Sequence, residues 1–322
     1  MKGRESTKVR TLVFAGKYGT LICLFAMIVV FSILLPAFRS SNNLLNLLGQ
    51  TAILSIMAAG MTCTLKMGDF DLSIGAIAAL TGIVTAKILL AGGSIPLAIT
   101  CGLTTGLIVG FINGVFVAYI GLNAFVCTLA TMSIIFGLCL TVTKGIMLFG
   151  LPQSFEFFGR GDVLGVPFRF VFMFCMLLIL WFFHKYTPTG RRMEAIGGNP
   201  VSAQLSGINV EWNRLLGYLL SGICAAAAGI LLASSTMSAT STQGGAYLLD
   251  AFGASFIGAS TVRVGQFHIP GTFVGVLIVV IAVNGLVILM VPGYLTDMIK
   301  GIILLLAIML SGVVGKFLQT GR

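Results

Sequence analysis

Charge is what this chain has least of. Nine Asp and Glu occur in 322 residues, and charged side chains make up only 9% of the total. A soluble domain carries about 25%, so a water-facing globule is excluded. Histidine and tryptophan occur twice each, and neither histidine has zinc-site spacing. The seven cysteines sit singly in apolar runs with no CxxC pair, which reads as small hydrophobes in helices. A phosphate-binding G-x-x-x-x-G-K-[ST] is missing; Gly312-Val-Val-Gly-Lys316 has the wrong spacing, and Phe follows its Lys. With no Ser–His or His–Glu arrangement either, the expectation is a chain that does no covalent chemistry and holds no metal or cofactor.

What is abundant is oil and glycine. Hydrophobic residues make up 57%, and 41 glycines are spread among them; the mean hydropathy is +1.07. Small residues among apolar runs let helix backbones approach closely in a bilayer. Runs near the 20 residues needed for a span fall at 18–37, 44–65, 72–91, 95–119, 123–143, 167–186, 213–234, 246–262, 270–291 and 295–316. The fold expected is therefore an all-α polytopic membrane protein of about ten transmembrane helices, spans three and eight being the least regular. The apolar run from Tyr18 to Leu35 is too long for a signal-peptide core and reads as a retained first span.

The formal charge of +10 follows topology, which argues against nucleic-acid binding. Lys2, Arg4, Lys8, Arg10 and Lys17 crowd the start; Lys185, Arg191, Arg192 and Arg214 cluster around one polar loop; Lys316 and Arg322 close the chain. The positive-inside bias then puts both termini in the cytoplasm. The layout is a basic tail (1–17), a transmembrane domain (18–317) and a short tail (318–322). The loop 187–212 falls inside, and Lys144–Val166 outside.

Two internal echoes suggest an inverted repeat, a common transporter plan. Asp71-Leu-Ser-Ile-Gly75 resembles Asp250-Ala-Phe-Gly-Ala254, and Asn113-Gly-Val-Phe-Val resembles Asn284-Gly-Leu-Val-Ile. Polar groups at membrane depth are costly and face protein or water. Asn113 and Asn284 therefore either bridge helices or, with Asp71, line a translocation path. Lys66, Asp69 and Asp71 read as an interfacial ion-pair cluster capping the third span, or as a gate. Asp250 lies near the outer surface. Asp297 and Lys300 have the spacing of a helical ion pair, and His184 and His268 fall where interfacial water would solvate them.

The polar stretch Glu194–Val210 encodes one short helix. Asn199 is a good N-cap, Pro200 suits the first helical position, and Gly207 supplies a left-handed stop. Val201, Leu205 and Ile208 fall on one side of it, Ser202 and Ser206 on another. A helix from Pro200 to Ser206 is too short to hold itself in water, so it either lies on lipid or fits a cleft in a cytoplasmic partner. Gly197-Gly198 ahead of it would turn the chain tightly.

At this point the sequence resembles a family. GRRMEAIGGNPVSAQLSGINV (Gly190–Val210) is similar to the cytoplasmic signature of ATP-binding-cassette sugar permeases of the ribose, xylose, arabinose and galactose type. GDFDLSIGAIAAL (Gly68–Leu80) is similar to that family's Asp-Leu-Ser-x-Gly segment. Ser221-Gly222, Ala227-Ala228-Gly229, Gly245-x-x-x-x-Asp250 and Gly301-Ile-Ile-Leu-Leu-Leu extend the match over about residues 40–315. The resemblance implies a homodimer of permease chains in the bacterial inner membrane, importing a monosaccharide by alternating access. It implies a separate cytoplasmic ATPase and a periplasmic solute-binding protein as partners. The short helix becomes the coupling helix, with Gly197, Gly198, Asn199, Pro200, Ala203, Leu205, Ser206 and Gly207 as its contact residues. Two departures, Asp69 where the family often has glycine and the stretch Gly258–Pro270, bear on which sugar. Rival readings are an ion-gradient transporter working through Asp71 or Lys66, and an importer for a nucleoside, a furanose-like signal molecule or a branched-chain amino acid.

Overall fold

The computed structural model describes residues 2–261, 265–302, 305 and 309, with residues 2–17 as backbone. Most of the expected tenth span (295–316), the tail 318–322, Arg263 and Gly312–Lys316 lie outside the described residues. Helix α1 runs Lys2–Leu34 and stops at Pro36, which opens a 3-10 turn. Helices α2 (Ser41–Leu65), α3 (Ile74–Leu90), α4 (Ile95–Gly114) and α5 (Ala124–Thr143) follow, with a single π turn, Val115–Tyr119, extending α4. Strand β1 (Leu148–Phe149), helix α6 (Gln153–Arg160) and the strands β2 (Asp162–Val163) and β3 (Val166–Pro167) lead to α7 (Phe168–Tyr186). Helices α8 (Pro188–Gly198), α9 (Pro200–Leu205) and α10 (Val210–Thr236), strand β4 (Ser238–Ala239), and helices α11 (Ala246–Ala259) and α12 (Ile269–Ile288) complete the named elements.

The chain is all-α and multi-pass. Among the described residues six helices are long and apolar enough to cross a membrane: α2, α4 with its π turn, α5, α7, α10 and α12. Tyr18–Leu34, α3 and α11 are apolar but shorter. Among these are the helices of the expected third and eighth spans, the two that the polar Lys66–Asp71 knot and the interrupted 246–262 run mark as least regular.

The chain divides into two compact units. In the unit Ala52–Leu248, α3 is apolar all round and buried along nearly its whole length, as expected of a helix with no solvent face. Beside it, α4 and α10 meet along a ladder of glycines. Gly102, Gly106, Gly110 and Gly114, one turn apart, press on Ile230, Gly222 and Ala226, Tyr218, and Leu215. A Cβ on Gly110 would stand 2.5 Å from the Tyr218 carbonyl oxygen. Such contact between backbones is the small-xxx-small mode of membrane helices. Gly82 on α3 faces the Gly229 carbonyl of α10 in the same way.

Lys144–Val166 is a folded cap on the C-terminal end of α10. Ser234 Oγ donates to the Phe155 carbonyl (2.5 Å) and Arg160 Nε to that of Ser235 (2.7 Å). Strand β1 pairs antiparallel with β4. Lobe α8–α9 sits at the opposite, N-terminal end of α10, about 40 Å away at 1.5 Å per residue.

In the unit formed by Met1–Thr51 and Leu249–Arg322, the Phe31 ring of α1 covers Gly285 of α12. Asn43 and Asn284 exchange two amide hydrogen bonds, at 3.1 and 2.8 Å. Lys300 Nζ lies 3.0 Å from Asp250 but 3.9 Å from Asp297, which is largely exposed. The i,i+3 pair that the spacing suggests is present, and a closer long-range pair to Asp250 joins it.

Candidate functional site

The polar stretch folds as two helices. Thr187 caps α8, accepting from the Gly190 amide at 3.1 Å, and Pro188 fills its first turn. Gly190 packs on the His184 backbone, which folds α8 back onto the end of α7. Gly197 and Gly198, expected in a tight turn, form the last turn of α8 instead. Gly197 is pressed against the Lys66 carbonyl, where a side chain would collide. The reversal belongs to Asn199 alone, which ends α8 and caps α9, its Oδ1 accepting from the Ser202 amide at 3.0 Å. Pro200 sits in the first turn as expected, and Gly207 closes the helix at φ +80°. Ser206, expected as the last helical residue, is the C-cap, its hydroxyl donating to the Ser202 carbonyl at 2.8 Å.

The apolar side chains of this segment divide between two faces. Ala203 is only 5% exposed and joins Met67, Met193, Ile196 and Val210 in a small core, with Ile208 packed against it. Val201 and Leu205 point away, 65% and 85% exposed. The single apolar side expected for Val201, Leu205 and Ile208 is therefore wrong. Ile208 lies beyond the left-handed Gly207, where helical spacing no longer predicts direction. Folded this way, α9 is anchored by one methyl group and offers two larger apolar side chains outward.

Under this lobe runs the loop 66–73, and the cluster expected there is dispersed. Lys66 pairs with Glu194 of α8 at 3.2 Å. Asp69 meets Arg214 of α10 at 3.3 Å, without hydrogen-bond alignment. Burial pushes the Asp69 carboxyl up to about 6, against the opposing pull of the Arg214 charge. Asp71, fully buried, takes no cation among the described residues: its Oδ1 accepts from the Ser73 hydroxyl (2.6 Å) and amide (3.0 Å), and its Oδ2 from the Ser221 hydroxyl (2.6 Å). Asn113 extends this network, donating to Ser73 Oγ at 2.9 Å and accepting from Thr131 Oγ1 at 2.7 Å. Asp71 and Asn113 thus meet in one sealed polar knot joining the α3 N-terminus, α4, α5 and α10. Asn284, in the other unit, is matched with Asn43. All three expected path residues are buried and bridge elements in this conformation.

His184 is packed rather than solvated, while His268 is half-buried and takes a capping role. His184 is buried, with Nε2 3.3 Å from Cys63 Sγ. His268 caps α12: its Nδ1 accepts from the Gly271 amide at 2.8 Å, so Nε2 donates to the Thr261 carbonyl at 3.0 Å. Among the described residues no group of three or more His, Cys, Asp or Glu is placed to hold a metal. Ser73, Ser221, Thr131, Asn43 and Glu194 were missed as partners. Only Ser73 had a local signal, the Asp-x-Ser spacing of an Asx turn; the rest are brought in by distant elements.

Residues 43–308 match the family described as "Branched-chain amino acid transport system / permease component". The chain is 40% identical to the ribose import permease of Bacillus subtilis strain 168, over 92% of each chain. It is 33% identical to the D-allose transport system permease of Escherichia coli K12, over 94% of each. With the galactofuranose transporter permease of the same strain it shares 32% identity, over 88% of this chain and 86% of the relative. No solved structure matches.

Proposed function

The chain belongs to the family of branched-chain amino acid transport system permease components, and from that premise we propose that it is the membrane-spanning subunit of an ATP-binding-cassette importer for a monosaccharide. The observation that carries the reading is near full-length similarity to permeases named for three different sugars. The family description is broader than sugars; these relatives narrow it. The chain is a transport subunit, and ATP hydrolysis falls to a separate one. It needs no cofactor of its own.

In this proposal the cytoplasmic ATPase docks on α9, with Val201 and Leu205 entering its surface. Their exposure beside a buried Ala203 supports that role, and Gly197 to Gly207 supply the shape. A solute-binding protein delivers the sugar to the opposite face, and two permease chains pair in the lipid to enclose one path. Ten spans cross the inner membrane with both termini in the cytoplasm. The six long helices, the three shorter ones and the apolar run beyond residue 302 support that count. An inverted repeat is supported by the Asn–Gly pairs of α4 and α12. Each puts its glycine at a close helix contact and its asparagine in side-chain hydrogen bonds. Asp71, Asn113 and Asn284 are then latch residues beside the path, exchanging partners as it opens.

Reconstitution tests this. In liposomes the chain alone moves no ribose, allose or galactofuranose, even under an imposed proton or sodium gradient. With its ATPase, its binding protein and internal ATP it accumulates at least one of them. Gradient-driven uptake by the chain alone overturns the proposal.

A further inference from the structure

A push on α9 is useful only if it reaches the helices around the path. The loop 66–73 is fastened to α4, α5 and α10 at successive residues. Asp69 meets Arg214 of α10. The Phe70 carbonyl accepts from Tyr218 OH at 3.2 Å, and the Leu72 amide donates to Thr128 Oγ1 of α5 at 3.1 Å. Asp71 holds Ser221 of α10, and Ser73 holds Asn113 of α4. At its start the same loop meets the α8–α9 lobe three times. Met67 packs into the core that seats Ala203, the Lys66 carbonyl bears on Gly197, and Lys66 Nζ pairs with Glu194.

These three contacts differ in what they transmit. Apolar packing and a backbone stop resist compression, so they carry the lobe's movement toward the membrane. They resist separation weakly, since dispersion contact falls off within about an ångström of gap. An ion pair resists separation, and this one is partly shielded: the Lys66 side chain is 8% exposed and that of Glu194 42%. Withdrawing Glu194 would leave the Lys66 ammonium buried and unmatched, a costly state. A transport cycle needs both strokes, closure of the ATPase pair and its reopening.

We propose that Lys66 and Glu194 are positioning residues of the importer, forming the tie by which the return stroke of the α8–α9 lobe is passed through the 66–73 loop to α4, α5 and α10. The inference rests on α9 being the docking site. The test uses the full assembly in proteoliposomes, with permease, ATPase and binding protein, and as the probe whichever of radiolabelled ribose, allose or galactofuranose the unmodified assembly accumulates. The readout is sugar moved per ATP hydrolysed, a ratio that loss of folded protein does not change.

Glu194→Gln and Lys66→Gln should each keep the ATPase bound and lower that ratio about tenfold, the size of a typical coupling between sites. The exchange Lys66→Glu with Glu194→Lys should restore most of it. Should Lys66→Gln fail to fold, Glu194→Gln at the more exposed position carries the test. Single variants with the wild-type ratio, or an exchange that folds and restores nothing, overturn the inference. A parallel arm, Val201→Asp with Leu205→Asp, separates the two claims. If that variant still binds the ATPase, the docking reading falls and the tie with it. If it releases the ATPase while the Glu194 and Lys66 variants transport at the normal ratio, the tie alone falls.

Discussion

Asp71 shows how a carboxylate is kept fully buried with no cation beside it among the described residues. Both oxygens accept, Oδ1 from two donors of Ser73 and Oδ2 from the Ser221 hydroxyl, so three of the roughly four acceptor sites of a carboxylate are filled in this conformation. That is a poor arrangement for a gradient-driven carrier and a good one for a lock between helices. Removing one donor strands a buried oxygen. Ser221→Ala should cost about 1–3 kcal/mol, read as a lower thermal unfolding midpoint in detergent. The same substitution at Ser133, whose hydroxyl is exposed and bonds only its own helix, should leave the midpoint unmoved.

Among the elements, α4 is the most demanding. Its four glycines one turn apart lie on α10 with no room for a methyl group. Gly110→Leu should force the pair apart and lower stability by roughly 1–3 kcal/mol, the usual cost of overpacking, while Gly137→Leu on α5, where nothing lies within 4 Å, should not. Loss of midpoint in the first variant alone, by the same thermal assay, checks this. The spacing of those glycines was open to view in the sequence, yet the hydropathy of 95–119 conceals which neighbour they serve. The ends of α9 were legible because Asn199, Pro200 and Gly207 act on their own backbone. Helix α8 was not, because Gly197-Gly198 looks like a hinge until the Lys66 carbonyl is found against it. Cap helix α6 was missed too, since Phe155 and Gly159 acquire meaning only from Ser234 and Ser235. The ion-pair partners of Lys66 and Asp69 were equally out of reach, for such pairs are chosen by tertiary neighbours and not by spacing along the chain.

At the scale of the whole molecule, the energy source decides the class. Uptake of whichever sugar the complete assembly accumulates should persist when a proton ionophore collapses the gradient and stop with a non-hydrolysable ATP analogue; the opposite pattern in a flux assay would mark a secondary carrier. In the proposed topology such an engine joins two polar lobes across the oil between them. Helix α10 is one unbroken shaft, gripped by α6 at one end and by the α8–α9 lobe at the other. No loop interrupts it where torque might leak away. If the ATPase docks on α9 as proposed, a fluorophore on the α6 cap should report the motor's nucleotide state from the far side of the bilayer, with no reagent having to cross.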